Sequence, residues 1–388
     1  MSTEKSQIKY PLLPFSQLVY EMTSWMPGVY RFPVTLRWKN GACEKDRIEQ
    51  AICKALMNHP VFAIRIDRHG MQSPSDIQDV LQGKYHCFAL TEEGNDLIIN
   101  AELSRILGDG KSAEILLEDI AQVYDGKTPE PDDYWGYVAR FEQQKQSSHY
   151  RISHDWLVKE FADSSVPVRP TIDRRYLFTL FPPKVGLYVD DYTRLHESIN
   201  SFCKKNILSF EGFFSLCTAL AIAEYCGTDE AALTWAYEGR ETPDEQRIFG
   251  SLHRDIPFRI SRQSIVEGQK LASREELIKN ARNQIRSGIA HSDYPYTLSA
   301  PYSKRWNYAV NVLRGFEVED IVGDIDLPLE IVSVPQQKYA YALLDVEIHE
   351  KAESLQLAYR YSATHYKESS IRRFAALVNK NVEWLMKE

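Results

Sequence analysis

The sequence predicts an α/β protein built from two lobes. Strand-like stretches alternate with stretches that have the apolar period of helices, in the first half of the chain and again in the second. Such alternation is typical of sheets covered by helices. The chain has 388 residues, and a single hydrophobic core rarely extends beyond roughly 250 to 300 residues, so we expect two cores.

The first predicted elements are a helix and a strand separated by a proline. Residues 46–56 carry their apolar side chains on one helical face. Pro60 ends this pattern, because a proline disfavours helix in the residue before it. Residues 61–66 then read as a strand, in which Ala63 and Arg65 point to the same side because side chains alternate along a strand.

A second strand and a second helix enclose the most informative loop of the chain. Residues 96–101 predict the strand, and residues 111–124 have apolar side chains at a helical period. Between them lies Leu103-Ser104-Arg105-Ile106-Leu107-Gly108-Asp109-Gly110. The following Lys111-Ser112 gives this loop some likeness to a phosphate-binding loop. However, that motif needs a glycine where Arg105 stands, so we do not expect a nucleotide site.

The predicted end of the first lobe lies in polar, serine- and proline-containing sequence. Residues 143–148 and 164–167 have this composition. We therefore assign residues 1–170 to the first lobe and residues 171–388 to the second. The second lobe is predicted to contain strands at 176–181 and 232–237 and helices at 191–204, 210–226 and 370–388.

Composition excludes several classes of function. The net charge of −8 argues against a nucleic-acid partner, because phosphate binding requires a concentrated basic surface. The six cysteines include no Cys-x-x-Cys pair, which favours reduced thiols over a disulfide framework or a zinc site. Residues 1–9 are polar, and the sequence contains no run of about 18 apolar residues, so we expect a cytoplasmic protein without a membrane partner.

The loop resembles the signature of condensation domains of nonribosomal peptide synthetases, in which two histidines, three residues, an aspartate and a glycine lie between a strand and a helix. Asp109 and Gly110 occupy the last two places, whereas Ser104 and Arg105 stand where the family has its histidines. Further stretches resemble the family's other landmarks in the expected order, namely residues 14–20, 58–65, 134–138, 239–240, 248–259 and 291–296.

The resemblance implies a fold and an activity. The fold would be two lobes similar to chloramphenicol acetyltransferase, arranged as a V with a tunnel between them. Asp109's loop would lie at the junction, and residues 249–259 would bridge back from the second lobe. The activity would be transfer of an acyl or aminoacyl group from a phosphopantetheine thioester to an amine or hydroxyl acceptor. The phosphopantetheine would arrive on a carrier protein or as coenzyme A, with no tightly bound cofactor and no metal.

Arg105 is the residue whose role decides between active and inactive interpretations. An arginine stays protonated and has only donors, so it cannot replace the second histidine as a general base. It can stabilise a tetrahedral oxyanion, or bind a carboxylate or phosphate. It can also turn inward and pair with Asp109, which would block the tunnel. Loss of the base alone does not abolish aminolysis, because holding the reactants together supplies much of the rate.

The other motif residues are expected to have mainly structural roles. The family's aspartate pairs with an arginine, so the resemblance implies that Asp109 fixes the loop, with Arg65 as a possible partner. The alternative is that Asp109 and Gly110 are ordinary turn formers. Ser104 is expected to be structural, as the family's first histidine is. A nucleophilic Ser104 would need a nearby histidine, whereas the resemblance implies support roles for His59 and His291.

Four polar residues are candidates for lining the substrate tunnel. His253 and Arg254 stand in the bridging segment, where they either face the channel or belong to a solvated loop. Asn307 and Asn311 flank an apolar stretch, and alternation along a strand would turn both toward the tunnel.

Two functions follow from these residues. The first is a condensation-type acyltransferase in which Arg105 and the loop position the reactants. The second is a catalytically inactive condensation-like domain that binds carrier proteins or recruits a partner enzyme. An Arg105 paired with Asp109 would favour the second function.

Overall fold

The computed structural model describes residues 9–25, 30–76, 79–163, 165–174, 184–266, 268–295, 309–315, 318–335 and 342–387. Its strands are β1 (Tyr10–Pro11), β2 (Arg31–Trp38), β3 (Ile64–Ile66), β4 (Met71–Pro74), β5 (His86–Glu93), β6 (Asp96–Ser104), β7 (Val185–Asp191), β8 (Glu230–Tyr237), β9 (Arg254–Ser261), β10 (Val310–Arg314), β11 (Leu329–Ser333), β12 (Leu344–Lys351) and β13 (Ser354–Ser362). Its α-helices are α1 (Pro14–Trp25), α2 (Lys45–Asn58), α3 (Gly110–Tyr124), α4 (Tyr134–Gln144), α5 (Ser148–Phe161), α6 (His196–Asn206), α7 (Phe210–Cys226), α8 (Arg274–Ala290), α9 (Val318–Asp324) and α10 (Glu368–Met386).

The chain forms two compact units, and each is discontinuous in sequence. The first unit consists of Met1–Gln146, Glu238–His253 and Phe316–Gln336, and the second consists of Ser147–Tyr237, Arg254–Gly315 and Gln337–Glu388. This division differs from the predicted boundary at residue 170, because α5 groups with the second unit. The reason is packing, since α5 contributes to a buried apolar cluster made of Leu157, Phe161, Val166, Val168, Ala232 and Ala309.

The first unit contains two antiparallel sheets. The larger has the strand order β11-β2-β6-β5, and the smaller has the order β1-β4-β3. Along β6, the side chains of Leu97, Ile99 and Ala101 are buried in alternation, as expected of a strand with one covered face. Helices α2 and α3 pack against each other. The β6 strand and helix α3 hold the two ends of the loop that contains Arg105.

The second unit is organised around one mixed sheet with the order β7-β13-β12-β10-β8-β9, in which β10 runs parallel to β8 and β12. Helix α7 is buried over most of its length and packs against β8, α8 and α10. Neighbouring residues in the sequence determine where α7 begins and ends. The Ser209 hydroxyl accepts a hydrogen bond from the Gly212 amide, and Gly227 ends the helix at a φ of 67°, where glycine is favoured because it has no Cβ.

Most sequence-predicted elements are confirmed. The structure contains the predicted helices as α2, α3, α7 and α10 and the predicted strands as β6 and β8. The prediction of one strand over residues 61–66 is wrong at its start, because Pro60–Ala63 forms a 3₁₀ turn and the strand begins at Ile64. The helix predicted from residue 191 begins at His196, after a 3₁₀ turn. The strand predicted at 176–181 lies outside the described residues.

In the part of the chain that the structure describes, no single helix has both the length and the apolarity required to span a membrane. One pair of helical segments, Thr193–Asn206 and Phe210–Cys226, meets the length and composition test together, with a bend of 98° between them.

Candidate active site

The loop between β6 and α3 is held by backbone hydrogen bonds to other parts of the first unit. The Arg105 amide donates to the Tyr30 carbonyl at 2.9 Å. The Ser16 hydroxyl donates to the Ile106 carbonyl at 2.7 Å, and the Ser251 hydroxyl donates to the Arg105 carbonyl at 2.6 Å. These bonds fix the loop backbone on either side of the Arg105 side chain.

Asp109 forms a bidentate ion pair with Arg240. Arg240 Nη1 lies 3.0 Å from Asp109 Oδ2, and Nη2 lies 3.0 Å from Oδ1. The side chain of Arg240 is 0% exposed and that of Asp109 is 5% exposed. Two parallel charge-assisted bonds are the strongest arrangement available to this pair. The pair therefore ties the residue before α3 to Arg240 of the same unit.

Asp109 also accepts hydrogen bonds from three backbone amides. The Ser112 amide donates to Oδ1 at 3.1 Å, which caps α3. The amides of Leu252 and His253 donate to Oδ2 at 2.9 and 3.2 Å. Burial alone would raise the pKa of Asp109, but the charge and hydrogen bonds of Arg240, together with His253 and Ser112, outweigh burial and lower the pKa below its usual value. The carboxylate is therefore charged near neutral pH.

The prediction of Arg65 as the partner of Asp109 is wrong. Arg65 is exposed on β3, and its side chain has no ion pair with Asp109. The prediction relied on strand alternation from Ala63 to Arg65. Ala63 lies in the 3₁₀ turn before β3, so alternation does not apply at that position.

Arg105 does not pair with Asp109. Its guanidinium carbon lies 5.3 Å from the centre of the Phe15 ring and 5.2 Å from the centre of the Phe32 ring, within cation–π distance of both. Among the described residues, no carboxylate or carbonyl accepts a hydrogen bond from this guanidinium. The Arg105 side chain is thus held in place by aromatic rings while its N–H donors remain available for another group.

Ser104 and the two loop glycines have structural positions. Ser104 is buried at the end of β6, and its hydroxyl accepts a hydrogen bond from the Ile106 amide at 3.3 Å. Within the described ranges, no histidine bonds to this hydroxyl, so a Ser/His catalytic pair is not formed there. Gly110 is the first residue of α3. A Cβ on Gly108 would lie 2.8 Å from the ring of Phe249, so this position requires glycine.

His59 is part of a separate buried ion network. Its Nδ1 lies 2.8 Å from Asp132 Oδ2, and its Nε2 lies 3.2 Å from Asp119 Oδ2, with all three side chains 0% exposed. Arg247 also pairs with Asp119. Burial alone would lower the pKa of His59, but its interactions with the carboxylates of Asp119 and Asp132 together outweigh burial and raise the pKa. Both ring nitrogens of His59 therefore face buried carboxylates of the first unit.

His253 lies next to Arg105 in the first unit. Its ring packs on Phe15, with ring centroids 4.0 Å apart, so Phe15 contacts both His253 and Arg105. Burial, followed by the charge of Arg105, lowers the pKa of His253 to about 4. The imidazole is therefore neutral near neutral pH.

The remaining candidates belong to the second unit. The Ser153 hydroxyl bonds to His291 Nδ1 at 3.2 Å, and Arg254 donates to the Ser292 hydroxyl at 2.7 Å. Asn311 on β10 accepts a hydrogen bond from the Thr234 hydroxyl at 3.0 Å. Asn307 lies outside the described residues.

Two residues that bond to the loop, Arg240 and Ser251, were not predicted as its partners from the sequence. Arg240 was noted as part of a family landmark but not as the partner of Asp109, and Ser251 was not singled out. The charge of Arg240 was the only available signal, since nothing local indicates which carboxylate it meets. Within the described part of the chain, no group of three or more histidine, cysteine, aspartate or glutamate side chains is placed to bind a metal.

Comparison with known proteins gives a consistent result. A family model described as Condensation domain matches residues 71–388. Cyclosporin synthetase of Tolypocladium inflatum is 23% identical over 306 residues, which cover 73% of this chain and 2% of that protein. The chain thus spans a small fraction of the length of that relative.

Solved structures show the same fold at low sequence identity. The condensation domain of the monacolin K polyketide synthase has a TM-score of 0.73 at 12% identity, with 98% of each chain covered. A mutant starter condensation domain of rhizomide synthetase, in complex with C8-CoA and Leu-SNAC, has a TM-score of 0.70 at 14% identity, covering 97% of this chain and 94% of that one. The X-domain from teicoplanin biosynthesis has a TM-score of 0.73 at 13% identity, covering 100% and 96%.

Asp109→Asn should strongly destabilise the first unit. The substitution keeps the shape of the side chain but leaves the Arg240 charge buried without compensation, which typically costs about 3–5 kcal/mol in the free energy of unfolding. Arg65→Ala, which removes the exposed arginine, should change this free energy by no more than about 0.5 kcal/mol. The free energy of unfolding of both variants is measured by urea denaturation. Equal effects of the two substitutions would contradict the assignment of Arg240 as the partner.

The His59 network predicts a pH dependence of stability. The pKa of His59 is raised in the folded state, so its contribution to stability is complete below the unfolded-state value of about 6.5 and declines as the pH rises through the folded-state pKa. Urea unfolding from about pH 5 to about pH 9 should therefore show a loss of stability on the alkaline side that is smaller in His59→Gln. A wild-type stability that instead rises with pH relative to His59→Gln would mean that the histidine is buried neutral.

Proposed function

The chain belongs to the condensation-domain family, and we propose that it transfers an acyl or aminoacyl group from a phosphopantetheine thioester to an amine or hydroxyl acceptor at the loop of Arg105. The phosphopantetheine is carried by a peptidyl or acyl carrier protein or supplied as coenzyme A. The proposal assigns the electrostatic part of the reaction to Arg105.

This proposal rests on one observation, that the Arg105 guanidinium has no hydrogen-bond acceptor among the described residues. It lies within cation–π distance of Phe15 and Phe32. Asp109 is already saturated by Arg240 and by backbone amides. A half-buried cation without a carboxylate partner can receive negative charge from a substrate without first breaking an existing pair.

This cation suits the charge that develops during acyl transfer. When the acceptor attacks the thioester carbonyl, negative charge moves to the carbonyl oxygen. Donors that are fixed before the reaction stabilise this oxyanion without a reorganisation cost. The hydrogen bonds of the loop backbone to Tyr30, Ser16 and Ser251 hold Arg105 in the required fixed position. Arg105 thus acts as an oxyanion-binding group.

A catalytically inactive domain that recruits a partner enzyme is the second candidate. The replacement of both motif histidines by Ser104 and Arg105 favours it, and one structure that shares the fold is the X-domain from teicoplanin biosynthesis. The feature expected of an inactive site, an Arg105 turned inward onto Asp109, is not present. This difference makes acyl transfer the better supported function.

The proposal is tested by thioester aminolysis with the intact chain. Octanoyl-coenzyme A serves as donor and the leucine thioester of N-acetylcysteamine as acceptor, with amide formation followed by mass spectrometry. Phosphopantetheinylated carrier protein bearing the same acyl group provides a second donor. Wild type should form the amide, and Arg105→Ala should reduce kcat by about 10² to 10³, the usual effect of removing one oxyanion donor.

Arg65→Ala is the matched control, because it removes an arginine from the same unit without touching the loop, and its kcat should equal that of wild type. Arg105→Lys should retain part of the activity, since the charge remains but the planar fork of donors is lost. Turnover that is absent in wild type and appears only in Arg105→His would overturn the proposal and favour the recruitment function.

A further inference from the structure

His253 and Arg105 share one aromatic platform in the first unit. The imidazole packs on Phe15 with ring centroids 4.0 Å apart, and the guanidinium carbon of Arg105 lies 5.3 Å from the centre of the same ring. The His253 amide donates to Asp109 Oδ2 at 3.2 Å, which ties this part of the chain to the start of α3. The buried ion pair therefore holds His253 beside the motif loop.

The Nδ1 atom of His253 is buried and has no hydrogen-bond partner among the described residues. Leaving a buried polar atom unpaired is costly, so native structures rarely tolerate it without a functional reason. The nearest charged side chains, Arg105, Asp109 and Arg240, all influence the ring electrostatically. Asp109 and Arg240 are bound to each other, whereas the Arg105 guanidinium and His253 Nδ1 have no hydrogen-bond partner among the described residues.

We propose that His253 is the proton acceptor of the acyl transfer, a role that neither Ser104 nor Arg105 can fill. This inference rests on the proposed function and extends it. A neutral imidazole has a ring nitrogen with a free lone pair, whereas a guanidinium has none. In this proposal, Arg105 stabilises the negative charge of the oxyanion, and His253 removes the proton from the acceptor.

The charges around His253 favour transfer of the acceptor's proton to its ring while the tetrahedral intermediate forms. In the free protein, burial and the charge of Arg105 hold the pKa of His253 at about 4, so the ring is not protonated before substrate binds. An oxyanion bound to Arg105 compensates that charge, which removes one of the causes of the low pKa. The basicity of His253 therefore increases as the tetrahedral intermediate forms.

The proposed step is balanced in atoms and electrons. The acceptor nitrogen bonds to the thioester carbon, and the carbonyl electron pair moves to the oxygen beside Arg105. The proton of the attacking amine moves to His253. The C–S bond then breaks as the carbonyl re-forms, and the leaving thiolate takes the proton from the imidazolium. The products are an amide and the free thiol of the pantetheine, and His253 returns to its neutral form.

The test compares wild type with His253→Gln and His253→Ala in the aminolysis of octanoyl-coenzyme A by the leucine thioester of N-acetylcysteamine. Both variants should lose about 100-fold or more in kcat, the typical contribution of a general base. The KM for octanoyl-coenzyme A should change little. Added imidazole should restore part of the activity of His253→Ala, and a series of substituted imidazoles should restore more as their basicity increases. His69→Ala, at an exposed histidine of the same unit, is the control.

The outcomes separate this inference from the proposed function. Active wild type with His253→Gln within roughly threefold of its kcat overturns the role of His253 and leaves acyl transfer intact. Loss of activity in both variants without rescue by imidazole also overturns it, because a purely structural effect would not respond to an added base. Wild type without turnover on either coenzyme A or carrier-protein donors overturns acyl transfer and, with it, the role of His253.

Discussion

The buried ion pair between Asp109 and Arg240 is the interaction on which the rest of the candidate site depends. The two residues are separated by 131 positions in the sequence, and the same carboxylate caps α3 and accepts the amides of Leu252 and His253. One charged side chain thus joins the loop after β6 to the segment that ends at His253. Burial makes this pair costly to break, and its carboxylate holds the His253 amide beside the start of α3.

Local features of the site could be predicted from the sequence, but its partners could not. The β6 strand, the loop and α3 follow from side-chain periods, which are properties of neighbouring residues. The partner of Asp109 depends on tertiary packing between distant segments. The expectation of Arg65 failed because a 3₁₀ turn at Pro60–Ala63 interrupts the alternation on which it relied. The free guanidinium of Arg105 also required coordinates, since the sequence left pairing with Asp109 open.

The first unit places two polar groups beside the motif loop, the guanidinium of Arg105 and the imidazole of His253. Phe15 and Phe32 lie within cation–π distance of a permanent cation, and no carboxylate among the described residues accepts its N–H donors. His253 brings an imidazole to the same aromatic surface from a later part of the chain. We interpret this arrangement as a redistribution of roles, in which the cation stabilises developing charge and the neutral ring accepts a proton.

The central claim is that Arg105 binds the transition state more tightly than the ground state, and calorimetry tests it most directly. The ligands are octanoyl-pantetheine and a pantetheine-linked phosphonate that resembles the tetrahedral intermediate. Between wild type and Arg105→Ala, the Kd for octanoyl-pantetheine should change little, and the Kd for the phosphonate should rise by about 10² or more. Equal changes for the two ligands, or none for either, would contradict the account.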